Sequence, residues 1–168
     1  MQLIKINKVR YRKHLNIVIA GCASGLIIGS LGISQILIAL FPDANGSHFH
    51  WNLLGVLISG VIIAWMLNRY RNHDFMTEVV YVWELKQALN KINRKMLKLK
   101  STAAEGNIDA LLAMQYSYAG SRLLWELDDN TIVMEELAIA QAELDKLAKQ
   151  YQVNLDISNY SDDILKQF

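Results

Sequence analysis

The side chains that could do chemistry are few, and their spacing is poor for catalysis. His48 and His50 alternate in a short polar turn that also holds Asp43. Two imidazoles and one carboxylate would grip zinc or copper weakly, because a structural zinc site wants four ligands. No metal site is therefore assigned. Glu126-Leu127-Asp128-Asp129-Asn130 is rich in carboxylates. It lacks the spaced oxygen ligands and the glycine of a calcium loop, and reads better as a helix end. Cys22 is the single cysteine, so neither an intramolecular disulfide nor a cysteine-built metal centre can form. There is no phosphate-cradling glycine loop, nucleophile elbow or His/Glu metal helix. No catalytic or cofactor-binding residue is assigned, no cofactor is expected, and the chain is not expected to be an enzyme. An enzyme built on the carboxylates of the second half would need a pocket to gather them.

The elements that would position any such group begin with two apolar runs, Leu15 to Phe41 and Leu53 to Leu67. The first holds no charged residue. As a helix its 27 residues would be roughly 40 Å long at about 1.5 Å per residue. That exceeds the roughly 30 Å hydrocarbon core of a bilayer, so a tilted span is expected. Trp51 and Trp65 bracket the second run as interfacial aromatics do. The two runs read as a transmembrane hairpin at residues 15–68, with spans at about 15–41 and 50–68. A cleaved signal peptide fits less well. The first run is longer than the roughly 7–15 residues of a signal core, and a second run follows directly.

Charge sets the expected orientation. Lys5, Lys8, Arg10, Arg12 and Lys13 precede the first run, Arg69 and Arg71 follow the second, and the turn between them has no Lys or Arg. The positive-inside rule puts both termini in the cytoplasm, and these seven residues are expected at the membrane surface, facing anionic headgroups. The formal net charge of +1 hides an asymmetry: residues 1–100 carry 13 Lys/Arg against 4 Asp/Glu, and residues 101–168 carry 4 against 12. The acidic second half argues against nucleic acid as a partner.

Gly21, Gly25, Gly29 and Gly32 fall at about 0°, 40°, 80° and 20° around a helix turning about 100° per residue. This stripe lets another helix approach closely. Gly55 and Ser59 of the second run offer a match, so packing within one chain is the first reading and homodimerisation a compatible second. Ser34 and Gln35 are polar residues within the first run. A helix–helix hydrogen bond accounts for them, and two helices alone cannot enclose a pore.

Past the hairpin, residues 69–168 read as a cytoplasmic antiparallel three-helix bundle, and residues 1–14 as a basic arm. Asp74 is the expected N-cap of a long helix from Phe75 to Lys100. There Val82, Leu85, Leu89, Ile92, Met96 and Leu99 alternate at three and four. Its other faces are basic; the lysines pair with acids on the other helices or are simply solvated, or together with the arm they contact anionic lipid. The apolar segment 75–83 fits either the bundle core or the membrane surface. Ser101 to Asn107 reads as a turn. Ile108 to Leu127 is a helix with one stripe at Leu112, Tyr116, Ala119 and Leu123. A third helix, capped by Thr131, keeps the spacing through Val133, Leu137, Ala140, Leu144, Leu147 and Tyr151. A last turn is expected after Ser161.

Several stretches carry a resemblance. They are Ile6-Asn7-Lys8 with Tyr11-Arg12-Lys13-His14-Leu15-Asn16, Trp51-Asn52-Leu53-Leu54-Gly55, Phe75-Met76-Thr77-Glu78-Val79 with Trp83-Glu84-Leu85-Lys86-Gln87, and Leu127-Asp128-Asp129-Asn130-Thr131. Through them the chain resembles a family of uncharacterised small two-span inner-membrane proteins of gammaproteobacteria, a domain of unknown function. The resemblance implies a bacterial membrane setting and no activity. The expectation for function is a membrane-anchored interaction or scaffold protein with an unknown protein partner. The alternative is an accessory or regulatory subunit of a larger membrane enzyme or transporter.

Overall fold

The computed structural model describes residues 2–42, 46–130 and 132–168. Asp43, grouped above with His48 and His50, and Thr131, the expected cap of the third helix, lie outside the described residues. The fold is all-α, with no strand among the described residues. The helices are α1 (Lys8–Leu40), α2 (Phe49–Arg69), α3 (Thr77–Asn93), α4 (Met96–Ala104), α5 (Ile108–Asp128) and α6 (Met134–Gln150). Short 3-10 turns stand at Asp74–Met76, Ile157–Asn159 and Asp162–Gln167. The chain divides into two compact units, one of residues 7–80 and one of residues 1–6 with 81–168.

In the first unit α1 starts well before the apolar run. Asn7 caps it, its Oδ1 accepting from Arg10 N at 3.1 Å, so the second half of the basic arm, from Lys8 on, is helical. α1 and α2 pack along each other in antiparallel register: Gly25 faces Ile63, Gly29 faces Ser59, and Ser34 faces Gly55. The next cap falls one residue earlier than expected. His73, not Asp74, accepts the Phe75 N–H, at 3.1 Å to Nδ1, and a 3-10 turn precedes α3.

In the second unit the expected long helix is broken. α3 ends at Asn93, Arg94 and Lys95 form a turn, and α4 starts at Met96. Ile92 and Leu99 remain fully buried on either side of the turn, so the apolar pattern survives although the helix does not. α4 then runs through Ser101 to Ala104, and the loop shrinks to Glu105-Gly106-Asn107. Asn107 caps α5, its Oδ1 accepting from Ala110 N at 2.9 Å. Asp129, in the left-handed conformation, ends α5.

α5 is the centre of this unit, packed against α4 and α6. Its burial is not a single stripe: Ala110 to Met114, Tyr116 to Tyr118, Gly120, Leu124 and Leu127 are all buried. A helix covered on several sides buries residues that an amphipathic reading assigns to solvent. Thus Tyr118 is buried and Leu124 replaces Leu123 in the core. α6 is amphipathic, with Leu137 and Leu144 buried. After it the chain returns as the tail, whose Tyr160 and Leu165 are buried. Tyr81 ties down the N-terminal residues, its hydroxyl accepting from Ile4 N at 2.9 Å and donating to Gln2 O at 3.3 Å.

Candidate functional site: the hairpin seam and its basic end

The seam between α1 and α2 uses part of the glycine stripe. A Cβ on Gly29 would lie 2.9 Å from Ser59 Oγ, and one on Gly55 would lie 2.7 Å from the Ser30 carbonyl oxygen and 2.6 Å from Ser34 Oγ. Gly25 has ordinary room, with Ile63 at 3.7 Å. Gly21 and Gly32 take no part in this contact, because a Cβ on either would meet nothing within 4 Å. The cause is geometric. Helices that cross at an angle follow an i, i+4 ridge, which rotates by about 40° per step. The contact therefore passes from Gly25 and Gly29 to Ser30 and Ser34, and leaves Gly32 behind it.

Ser34 is nearly fully buried, and its hydroxyl donates to the Trp51 carbonyl at 3.3 Å. Ser59 is equally buried, and its Oγ has no partner. Gln35 is exposed. At the same end of the hairpin Trp51 stacks on Phe41, ring centroids 5.4 Å apart, and the His50 ring lies tilted beside it at 4.6 Å. No group of three or more His, Cys, Asp or Glu that could hold a metal ion exists among the described residues.

At the other end, Arg10, Arg12, Lys13, Arg69 and Arg71 are exposed and Lys8 is half-buried; Lys5, which belongs to the other unit, is exposed as well. An Arg10–Glu78 ion pair with His14 beside it organises this end. Arg10 Nε lies 2.9 Å from Glu78 Oε1, and His14 Nδ1 lies 3.5 Å from Glu78 Oε2. His14 also stacks on Phe75, ring centroids 4.1 Å apart. Sequence reasoning did not find this cluster. His14 and Glu78 are far apart in the chain, in two separate stretches of the family resemblance, and no local spacing pairs them. Beside it, along the α1–α2 seam, runs an apolar groove of about 350 Å³. Ile17, Gly21, Cys22, Ile63, Met66 and Phe75 line it, and Tyr70 stands at the end where the basic residues begin.

In the other unit most of the α3 and α4 lysines are engaged within their own chain. Lys86 pairs with Asp128 at 3.3 Å and Lys91 with Asp162 at 2.9 Å. Lys95 donates to the Leu165 carbonyl at 2.6 Å and Lys98 to the Phe168 carbonyl at 3.1 Å. Pairing within the fold thus accounts for these four, two of them through tail carbonyls that a count of carboxylates does not include. Segment 75–83 divides. Met76 and Val82 are buried, whereas Trp83 is 53 % exposed. Trp83 borders a groove of about 480 Å³ with Gln87, Lys91 and Asp162. Glu126, Asp128, Glu135, Glu136, Glu143 and Asp145 all face outward and are dispersed along α5 and α6.

Burial pushes four tyrosine hydroxyls of this unit away from ionisation, with the backbone hydrogen bond from Ile4 partly offsetting it at Tyr81. Tyr116 is raised to about 12, by burial first and then by the nearby charges of Tyr81 and Asp162. Tyr160 is raised by burial, with Asp162 and Tyr116 adding to it, and Tyr118 by burial and then Glu143.

Comparison with known proteins finds no match among curated proteins and none among solved structures. A family profile does match, over residues 1–165. The chain belongs to the family described as "Protein of unknown function (DUF3087)".

Proposed function

We propose that this chain is a membrane-anchored, non-enzymatic interaction protein. In this reading α1 and α2 form a two-span hairpin in a bacterial inner membrane, with both termini in the cytoplasm. Residues 81–168 form a helical bundle that binds a protein partner.

One observation carries the reading. In the most apolar stretches of α1 and α2 only 6 % and 11 % of the residues are buried. Core helices of a soluble protein bury such surface against their own fold. Here Ile27, Ile28, Leu31, Val61 and Trp65 all stand open. Contiguous apolar surface on that scale marks a membrane or protein contact, and a membrane suits it because helices satisfy their own backbone hydrogen bonds in lipid. The uncharged spans and the Lys/Arg at one end support the orientation. The groove beside exposed Trp83 supports the partner, since tryptophan is enriched at the energetic centres of interfaces.

The test is recovery of the intact protein from membranes in mild detergent. A partner retained through a salt series supports the proposal, and monomer alone at every salt concentration overturns it. One stoichiometric complex with a multi-span protein would instead make it an accessory subunit. A reporter joined after Phe168 that is active only outside the membrane would overturn the orientation.

A further inference from the structure

The groove along the hairpin seam has a composition that selects its occupant. We propose that it holds one acyl chain of an anionic phospholipid from the same leaflet, with Lys13 and Arg69 receiving the phosphate. This deepens the hairpin reading and rests on it.

The apolar half of the argument is the lining. Ile17, Gly21, Cys22, Ile63, Met66 and Phe75 enclose about 350 Å³, within the roughly 300–1,000 Å³ of small-molecule sites. The hollow exists because Gly21 carries no side chain where α1 and α2 leave space, and a Cβ there would meet nothing. A groove in a lipid-facing hairpin cannot fill with water without loss, because its almost wholly apolar walls offer a water too few hydrogen-bond partners. A flexible hydrocarbon chain fits that requirement.

The charged half is the mouth. Lys13, Ile17 and Gly21 lie at i, i+4 spacing, so one helical ridge leads from a lysine into the groove. On α2, Arg69 follows the lining residue Met66 by three and adjoins Tyr70, which also lines the groove. Lys13 and Arg69 are both exposed. Arg10 is held differently, by Glu78. A zwitterionic or neutral lipid would satisfy the apolar wall but leave the two cations without an excess negative charge. Complementarity therefore favours a lipid with net negative charge.

The experiment reconstitutes the full chain into vesicles of mixed phosphatidylethanolamine and phosphatidylglycerol. It is then released in mild detergent, and retained lipid is measured by native mass spectrometry. The expected result is one phosphatidylglycerol per chain, retained in preference to phosphatidylethanolamine. Lys13→Gln and Arg69→Gln should each lower that preference about five-fold while leaving a chain bound. Gly21→Leu should abolish retention, with helicity and melting unchanged. Gly32→Leu, which also enters open space but lies outside the groove, should retain lipid as the parent does.

Equal retention of the two lipids by the parent overturns the proposal, as does undiminished retention by Gly21→Leu. Conversion of a dimer to a monomer by Gly21→Leu also overturns it, because the groove would then be a protein contact. Alkaline extraction of the same vesicles separates the levels. Protein that washes off overturns the hairpin reading and this site with it. Protein that stays but carries no lipid overturns the site alone.

Discussion

Ser34 of α1 and Gly55 of α2 lock the hairpin together. The serine hydroxyl reaches the Trp51 carbonyl one turn before Gly55, and it occupies the space that a Cβ on Gly55 would need. The Ser30 carbonyl closes the same space from the backbone side. A serine rotamer can change, but a helix backbone cannot retreat without moving the whole helix.

Substitution along the two helices should therefore be sharply uneven. Gly55→Leu forces the helices apart and is expected to cost about 1–3 kcal/mol, the usual range for overpacking. Gly29→Ala meets the movable Ser59 Oγ and should cost less. Gly32→Leu should leave hairpin stability nearly unchanged. Thermal melting in detergent orders the three variants, and an equal effect at Gly55 and Gly32 would contradict the seam.

Tyr116 and Tyr160 stack with ring centroids 4.1 Å apart, and neither hydroxyl has a hydrogen-bond partner. The folded state favours their neutral forms, so Tyr116 keeps its proton from the unfolded value of 10.0 up to about 12. An unfolded chain then holds fewer protons than the folded one between those limits, and stability falls with rising pH. The contribution is fully present below pH 10 and lost as pH passes about 12. Chemical denaturation between pH 8 and 12 should show that decline, and Tyr116→Phe should flatten it. At neutral pH the same variant should be nearly neutral, since the hydroxyl it removes bonds to nothing.

Gly106 sits at φ +89, and the Tyr151 ring lies 2.7 Å from where its Cβ would be. Tyr151 is held there by its hydroxyl, which donates to the Ala104 carbonyl at 2.6 Å. Gly106→Ala combines left-handed strain of about 1–3 kcal/mol with that clash. In a Tyr151→Ala background the clash disappears and the strain remains. A double-mutant cycle by denaturant unfolding should therefore give a smaller Gly106→Ala cost in the second background.

The tail is held by contacts of unequal strength. Lys95 donates to the Leu165 carbonyl in a partly buried position, and charged hydrogen bonds contribute about 1.5–3 kcal/mol. The Lys91–Asp162 pair is largely exposed, and such pairs contribute about 0.2–1 kcal/mol. Lys95→Met should accelerate amide exchange across residues 157–168 more than Lys91→Met does. The reverse order would show that the exposed pair fastens the tail.

The sequence by itself determined the all-α class, the two long apolar helices and the position of most of the others. Each rests on a local pattern: uninterrupted apolar length for α1 and α2, three-and-four spacing for α3 and α6, and an asparagine or aspartate at the ends of α5. Local rules also placed the last turn near Ser161 and set the small residues of the hairpin on one side of α1. Only the tertiary structure decided which of those small residues meet α2. That outcome depends on crossing geometry, to which a helical wheel is blind. Tertiary packing also decided that α3 breaks at Arg94-Lys95, that α5 is covered on several faces, and that Lys95 and Lys98 hold backbone carbonyls of the tail. The groove floored by Gly21 and the cluster of Arg10, His14 and Glu78 are of the same kind. They join residues that are distant in the chain, and folding alone makes them neighbours.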